Sequence, residues 1–186
     1  WDIGANIGLY SIYNSLKNPK STTIAFEPSS SNLRVLTRNI SINNLEKNIK
    51  IVPIPLTNKE NIFQEMNEGH FIEGGALNSF GEKFDFEGKE FKPTMKYNLL
   101  GTTINYFLEN SILDIPDYIK IDVDGIEHLI LEGGDKFLND KKDHKNEIGY
   151  LKSIKIKLKI VKINNGNIDR AVQMCQRTNQ FNLSNK

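Results

Sequence analysis

The chain has 186 residues, enough for one packed domain and a small appendage. Its 38% hydrophobic and 25% charged residues are those of a globular protein, and a net charge of +1 gives no reason to expect nucleic acid as a partner. The single cysteine, Cys175, excludes an internal disulfide and makes a reducing cytoplasm the default setting, and no apolar run reaches membrane-spanning length.

The chain opens on W-D-I-G-A-N-I-G, in mid-motif and on Trp rather than Met, which predicts a trimmed chain. Trp1 to Ile3 read as the last residues of a buried strand, Gly4 as a tight turn and Gly8 as the start of a helix. Leu9, Ile12, Tyr13 and Leu16 recur at i, i+3, i+4 and i+7 and mark that helix. Strand, glycine turn and helix together bring backbone N–H groups and a helix N-terminus to a ligand. The spacing is G-x-N-x-G, where a dinucleotide fingerprint wants G-x-G-x-x-G. Asn6 in the middle tolerates left-handed geometry and keeps an amide available. Asp2, just before the turn, would repel a pyrophosphate and welcome an ammonium. That combination suits S-adenosylmethionine, whose amino-acid end carries no phosphate.

Thr22 to Phe26 is a second, β-rich run, and it ends at Glu27, 23 residues beyond Gly4. An acid at that place is the usual partner of ribose hydroxyls, against the plainer reading of a solvated strand-end carboxylate. Ser29 to Ser31 offer N-cap oxygens for a helix with the stripe Leu33, Leu36 and Ile40, stopped at Asn43 and Asn44. Ile49 to Ile54 alternates and runs out at Pro53 or Pro55, as a third strand.

Residues 67–101 change character, with glycines and phenylalanines mixed. Phe84-Asp85-Phe86 and Lys89-Glu90-Phe91 around Glu87-Gly88 predict a hairpin in an insertion at the substrate end of the sheet. It is either a structural hairpin capping the sheet with aromatic core, or a lid whose Asn78 and Ser79 touch the substrate. Thr102 to Glu109 reads as helical, and Asp117 to Val123 as a fourth parallel strand, apolar on both faces except Lys120 and its C-terminal end.

Ligands of open parallel sheets sit beyond the carboxyl ends of the strands. There the sequence puts Asp122, Asp124 and Glu127, with His128 next, in I-D-V-D-G-I-E-H. Three crowded carboxylates repel one another unless a cation shares the site. The cation would be a sulfonium donor or a divalent metal. No Cys/His ligand spacing supports a metal, and none is expected. Ile126, Leu129, Ile130, Gly133 and Phe137 continue as a helix, followed by the charged linker N-D-K-K-D-H-K-N-E.

D-I-G-A-N-I-G-L-Y-S-I, A-F-E-P-S-S-S-N-L, N-I-S-I-N-N-L and I-K-I-D-V-D-G-I-E, in this order, resemble the FkbM-type S-adenosylmethionine-dependent methyltransferases over residues 1 to about 138. The resemblance implies an α/β, Rossmann-like class I methyltransferase fold with a mostly parallel sheet. It also implies O-methylation of a small-molecule acceptor, a sugar or natural-product hydroxyl. Asp2, Gly4, Asn6, Gly8 and Glu27 would then hold the cofactor, with Asp122 as general base or acceptor-positioning residue and Glu127 holding the acceptor or shaping the pocket. Leu56-Thr57-Asn58 corresponds to a family loop usually written Leu-Ser-Asp that lies near the adenine, so Thr57 and Asn58 are either cofactor contacts or a plain turn. Two departures stand out: Asn105 replaces the acid of Thr-Leu-Asp, and Ile126 replaces the His of D-V-E-G-H-E. These substitutions and the missing last strands leave a second reading, a non-catalytic interaction module that keeps the cofactor fold.

Ile154 to Ile163 alternates as I-K-I-K-L-K-I-V-K-I, and Ile168 to Arg177 reads as a helix. This βα tail, residues 148–186, resembles the C-terminal, acetyltransferase-like region of FkbH-like proteins, which load a glyceryl unit onto an acyl carrier protein. The first domain is expected to span residues 1–147. The tail strand either belongs to a fusion partner or completes the sheet. Its lysines read as a protected edge, with an acidic carrier protein as the alternative partner.

Overall fold

The computed structural model describes residues 1–69, 72–76, 78–82, 92–123 and 125–139. The expected hairpin around Glu87-Gly88, Asp124, the charged linker and the tail with its lysine-bearing strand lie outside the described residues.

In chain order the elements are β1 (Asp2–Ile3), α1 (Leu9–Lys17), β2 (Thr23–Phe26), α2 (Ser30–Ile42), β3 (Ile49–Val52), β4 (Ile62–Glu68), β5 (Asn78–Phe80) and β6 (Met95–Gly101). They continue with α3 (Ile104–Glu109), β7 (Lys120–Ile121), α4 (Glu127–Glu132) and α5 (Asp135–Asn139). Strands β3-β2-β1-β7 form a parallel sheet in that order, as expected of a Rossmann-like domain. β1 therefore lies between β2 and β7, so both of its edges are paired.

Side-chain alternation along β2 divides the core. Ile24 and Phe26 point to one face, with Ile3, Leu56, Ile104, Phe107 and Ile130. Ala25 points to the other, with Ala5, Leu36, Ile40, Leu45 and Ile49. Phe26 meets Phe107 edge to face at 5.7 Å between ring centres, a favoured geometry for aromatic pairs. α2 has the buried stripe its periodicity predicts, and the Ser29 hydroxyl caps it by accepting from the Asn32 N–H.

α1 is a helix as expected, but of its apolar stripe only Ile12 packs on the core and the rest faces outward. Leu9, Tyr13 and Leu16 are 73, 60 and 58% exposed, while Ser11 and Ser15 are buried against the sheet. The cause is polar and steric. Ser11 Oγ donates to Asp2 Oδ2 at 2.6 Å and Ser15 Oγ lies 3.2 Å from Thr23 Oγ1, so small hydroxyls let the helix seat closely over β1 and β2.

A second, antiparallel sheet, ordered β5-β4-β6, takes up the chain between β3 and α3. Its central strand β4, I-F-Q-E-M-N-E, was not expected, because neither apolar alternation nor turn residues mark it. The loop after β3 and the start of α2 both bond to this sheet or its flanks. The Thr57 N–H donates to the Thr102 carbonyl, and the Tyr97 hydroxyl reaches across to Glu68 and the start of α2. Gly133 ends α4 in the middle of the single helix expected there. A Cβ on Gly133 would lie 2.1 Å from the Thr57 carbonyl oxygen, so the chain passes this loop only without a side chain. The fourth strand pairs over Lys120–Ile121 only, shorter than the expected run to Val123.

Glu68 is fully buried, and among the described residues no cation pairs with it. Tyr97 Oη donates to its Oε1, Ser31 Oγ donates to its Oε2 at 3.1 Å, and the Ser30 N–H donates to Tyr97 Oη at 2.9 Å. Burial and the Glu68 bond push the Tyr97 hydroxyl up to about 12, so it keeps its proton and acts as the donor. Tyr97→Phe strands Glu68 Oε1 and is expected to cost about 1–3 kcal/mol of stability in urea unfolding. The folded-state value is above the ordinary one, so this contribution is complete below about pH 10 and is lost towards about pH 12. The gap between wild type and variant should close over that interval.

Candidate active site

The turn after β1 is built from three left-handed residues: Gly4 (φ 76°), Asn6 (φ 51°) and Gly8 (φ 86°). Two of these positions exclude a side chain. A Cβ on Gly4 would lie 2.1 Å from the Asp122 carbonyl oxygen, and one on Gly8 would lie 2.4 Å from Leu36 Cδ1. The Gly4 and Ala5 N–H groups both donate to the Phe26 carbonyl, at 3.1 and 2.9 Å. The turn is thereby tied to the tip of β2, next to Glu27.

Glu27 is 5% exposed. Its Oε2 accepts from the Asn6 N–H at 2.7 Å and its Oε1 from the Ser29 N–H at 2.9 Å, so each oxygen retains a further lone pair. Burial pushes its pKa above the ordinary value, and the two backbone N–H bonds and the Asn32 side chain oppose that rise. Asn32, 2% exposed, accepts from the Gly74 N–H at 2.9 Å and donates to the Gly75 carbonyl at 3.1 Å. It thus connects the acid to the loop before β5.

These elements enclose a cavity of about 160 Å³, room for an organic molecule rather than for a few waters. Gly4 and Asn6 form its floor, Glu27 and Asn32 one wall, and Asp122, Val123 and Ile126 the opposite wall. The second sheet closes it with Met66, Asn78 and Phe80.

Of the residues singled out in the sequence, Gly4, Asn6, Glu27 and Asp122 line this one cavity. Asp122 is 76% exposed at its side chain, and Lys120 Nζ stands 3.8 Å from its Oδ2. Gly8 stands behind the wall, against Leu36. Asp2 is sealed under the turn at 1% exposure, and Lys120 Nζ, 3.0 Å from its Oδ1, occupies the place where a ligand's ammonium was expected.

Thr57 and Asn58 are not among the lining residues, although Pro55 and Leu56 are. Thr57 is buried against Gly133, and Asn58 Nδ2 donates to Glu132 Oε2 at 2.8 Å. Glu127 is also off the wall. Its oxygens accept from the Val123 and Gly125 N–H groups at 3.4 and 3.0 Å, bracing the loop that carries Asp122. Asn105, the amide in place of an acid, donates to Asp135 Oδ1 at 2.7 Å, where a carboxylate would face a carboxylate. Among the described residues no group of three or more His, Cys, Asp or Glu could hold a metal, and no helix is long and apolar enough to cross a membrane.

Asn32 was missed because, three residues after a capping serine, it reads as helix surface. Ser79 lies off the cavity, its hydroxyl donating to the Glu82 carbonyl at 3.2 Å, while its neighbour Asn78 lines it.

A family model described as "Methyltransferase FkbM domain" matches residues 2–148. The chain is similar to methyltransferase sdnD of Sordaria araneosa, 27% identical over 157 residues, which cover 73% of this chain and 60% of that protein. It is also similar to the crystal structure of methyltransferase FkbM from Methylobacillus flagellatus KT, at 20% identity and a TM-score of 0.45, over 76% of this chain and 30% of that one. The chain thus spans less than two thirds of the length of the first and under a third of the second.

Proposed function

The chain belongs to the FkbM methyltransferase domain family, and on that premise we propose that it transfers the methyl group of S-adenosylmethionine to a hydroxyl of a small molecule, a sugar or natural product. The observation that carries the reading is the meeting of a tight glycine turn, a buried acid and an exposed acid around one cavity. The donor set fits an adenosyl cofactor. The turn allows close backbone approach, Glu27 keeps lone pairs for ribose hydroxyls, and among the described residues no cationic side chain lines the cavity to attract phosphates.

When bound, the cofactor supplies a methyl group activated by a sulfonium. The chain's own part is to position and to move one proton. Glu27 and the turn orient the donor, Val123 and Ile126 keep an apolar wall beside it, and Asp122 takes the proton of the acceptor hydroxyl. Ile126, where the family has His, removes one proton carrier and leaves Asp122 to do that work alone. Two further proposals rest on the sequence: a cytoplasmic setting, from the lone Cys175, and an acyl carrier protein as partner, from the tail's resemblance.

The decisive experiment is calorimetry of the full chain with S-adenosylmethionine and S-adenosylhomocysteine. Absence of heat and of any thermal shift rejects the reading. Glu27→Gln is expected to weaken binding about 10- to 100-fold, the range for bonds to a charged group. Ribose hydroxyls donate to the carboxylate, and burial raises the pKa of Glu27. Wild-type affinity should therefore fall as pH drops through that raised value, while Glu27→Gln stays flat.

A further inference from the structure

Three asparagines converge on one backbone carbonyl in the cavity wall. The side-chain N–H₂ groups of Asn32, Asn6 and Asn78 donate to the Gly75 oxygen at 3.1, 3.2 and 3.5 Å. A carbonyl has two lone pairs, so three donors exceed its capacity, and Asn78 makes the longest and weakest of the bonds. The opposite amide orientation would set oxygen against oxygen, so the side-chain oxygens of Asn6 and Asn78 must point elsewhere. Both are buried and neither has a hydrogen-bond partner. Leaving a buried acceptor unmade is costly, which favours an arrangement in which a donor arrives.

The place of these oxygens identifies the donor. Asn6 gives its N–H to Glu27, Asn78 pairs with Glu68 of β4, and Asn6, Asn78 and Glu27 line the same cavity. The unmet acceptors therefore stand next to the proposed ribose acid. A ribose offers two hydroxyls, and each Glu27 oxygen, already holding a backbone N–H, has one lone pair left, so a neighbouring acceptor can take one of the two hydroxyls.

We propose that Asn78, reaching in from the second sheet, is the second ribose anchor, its side-chain oxygen accepting from the cofactor hydroxyl that Glu27 does not take. The inference rests on the adenosyl reading above. Contact requires the Asn78 amide to turn about its Cβ–Cγ bond and release Gly75, which its 3.5 Å bond permits and which relieves the overfilled carbonyl. Asn6 then remains with Asn32 on the Gly75 oxygen. The segment before β5 becomes part of the cofactor site, and acceptor choice falls to the wall around Asp122 and Ile126.

The test is a titration of the full chain, wild type and Asn78→Ala, with S-adenosylhomocysteine and its 2′-deoxy and 3′-deoxy forms. The variant should bind S-adenosylhomocysteine about 5- to 30-fold more weakly. With one of the two deoxy forms the difference between wild type and variant should vanish to within about twofold, the signature of a lost shared bond. Equal binding of S-adenosylhomocysteine by both proteins, or an equal loss for all three ligands, overturns the assignment. If Asn78→Ala does not fold, wild type alone decides: each deoxy form should bind at least about fivefold more weakly, and indifference to either hydroxyl overturns it. A wild type that binds none of the three overturns the adenosyl reading itself, an outcome distinct from binding that ignores Asn78.

Discussion

Asp122→Asn is expected to lower methyl-transfer turnover by about 10²- to 10⁴-fold, the usual contribution of a positioned general base. The substitution keeps shape and polarity and removes only the capacity to accept a proton. Affinity for S-adenosylhomocysteine should change by less than about twofold, because the side chain is 76% exposed and Glu27, across the cavity, does the holding. Stability should be nearly unchanged too. The one ion pair at stake, to Lys120 at 3.8 Å, involves an exposed carboxylate and is worth about 0–1 kcal/mol. Initial rates of S-adenosylhomocysteine release, with an acceptor found active on wild type, provide the measurement. Unchanged turnover removes Asp122 from the chemistry.

Lys120→Met is expected to cost about 3–5 kcal/mol of stability, the range for breaking a buried ion pair from one side. Lys120 Nζ lies 3.0 Å from Asp2 Oδ1 and donates to the Gly4 carbonyl at 2.9 Å. Without it, a carboxylate 1% exposed retains only the Ser11 hydroxyl, and the turn loses a tie to β7. Methionine keeps the length and apolar stem of lysine, so the loss reports charge rather than volume. Asp2→Asn in the same chain should restore a good part of the stability, since the neutral amide no longer needs a counter-ion. Urea unfolding of the four chains of this cycle measures the coupling. A Lys120→Met chain within about 1 kcal/mol of wild type would show that the pair is not needed.

The frame of the site was legible in the sequence because its parts depend on local chemistry. Gly4, Asn6 and Gly8 are residue types that reach positive φ, and they do so here. Glu27 follows a β-rich run at a fixed distance from the turn, and Asp122 ends another such run, so the parallel sheet gathers them. What was not legible depends on partners far along the chain. The spacing of Leu9, Tyr13 and Leu16 fixes a helix but not which side meets the sheet; Asp2 and Thr23, by bonding Ser11 and Ser15, decide that. β4 carries Glu65, Asn67 and Glu68, so it reads as a loop until β5 and β6 pair with both of its edges. Thr57, Asn58 and Glu127 have residue types suited to a ligand, but their side chains are engaged within the protein: the Thr57 hydroxyl donates to Asn58, the Asn58 amide to Glu132, and Glu127 accepts from the backbone of Val123 and Gly125.

The central position of β1 also constrains how the domain is made. Asp2 and Ile3 take one neighbour from β2, about twenty residues on, and the other from Lys120 and Ile121, far later in the sequence. At a synthesis rate of about 5–20 residues per second, the second neighbour leaves the ribosome roughly 6–24 s after the first strand. Through that interval Asp2 has no lysine and the open edge of β1 is free to pair wrongly. Native closure therefore comes late, through pairing of high sequence separation, which makes folding slow and leaves the emerging domain a natural client for chaperones.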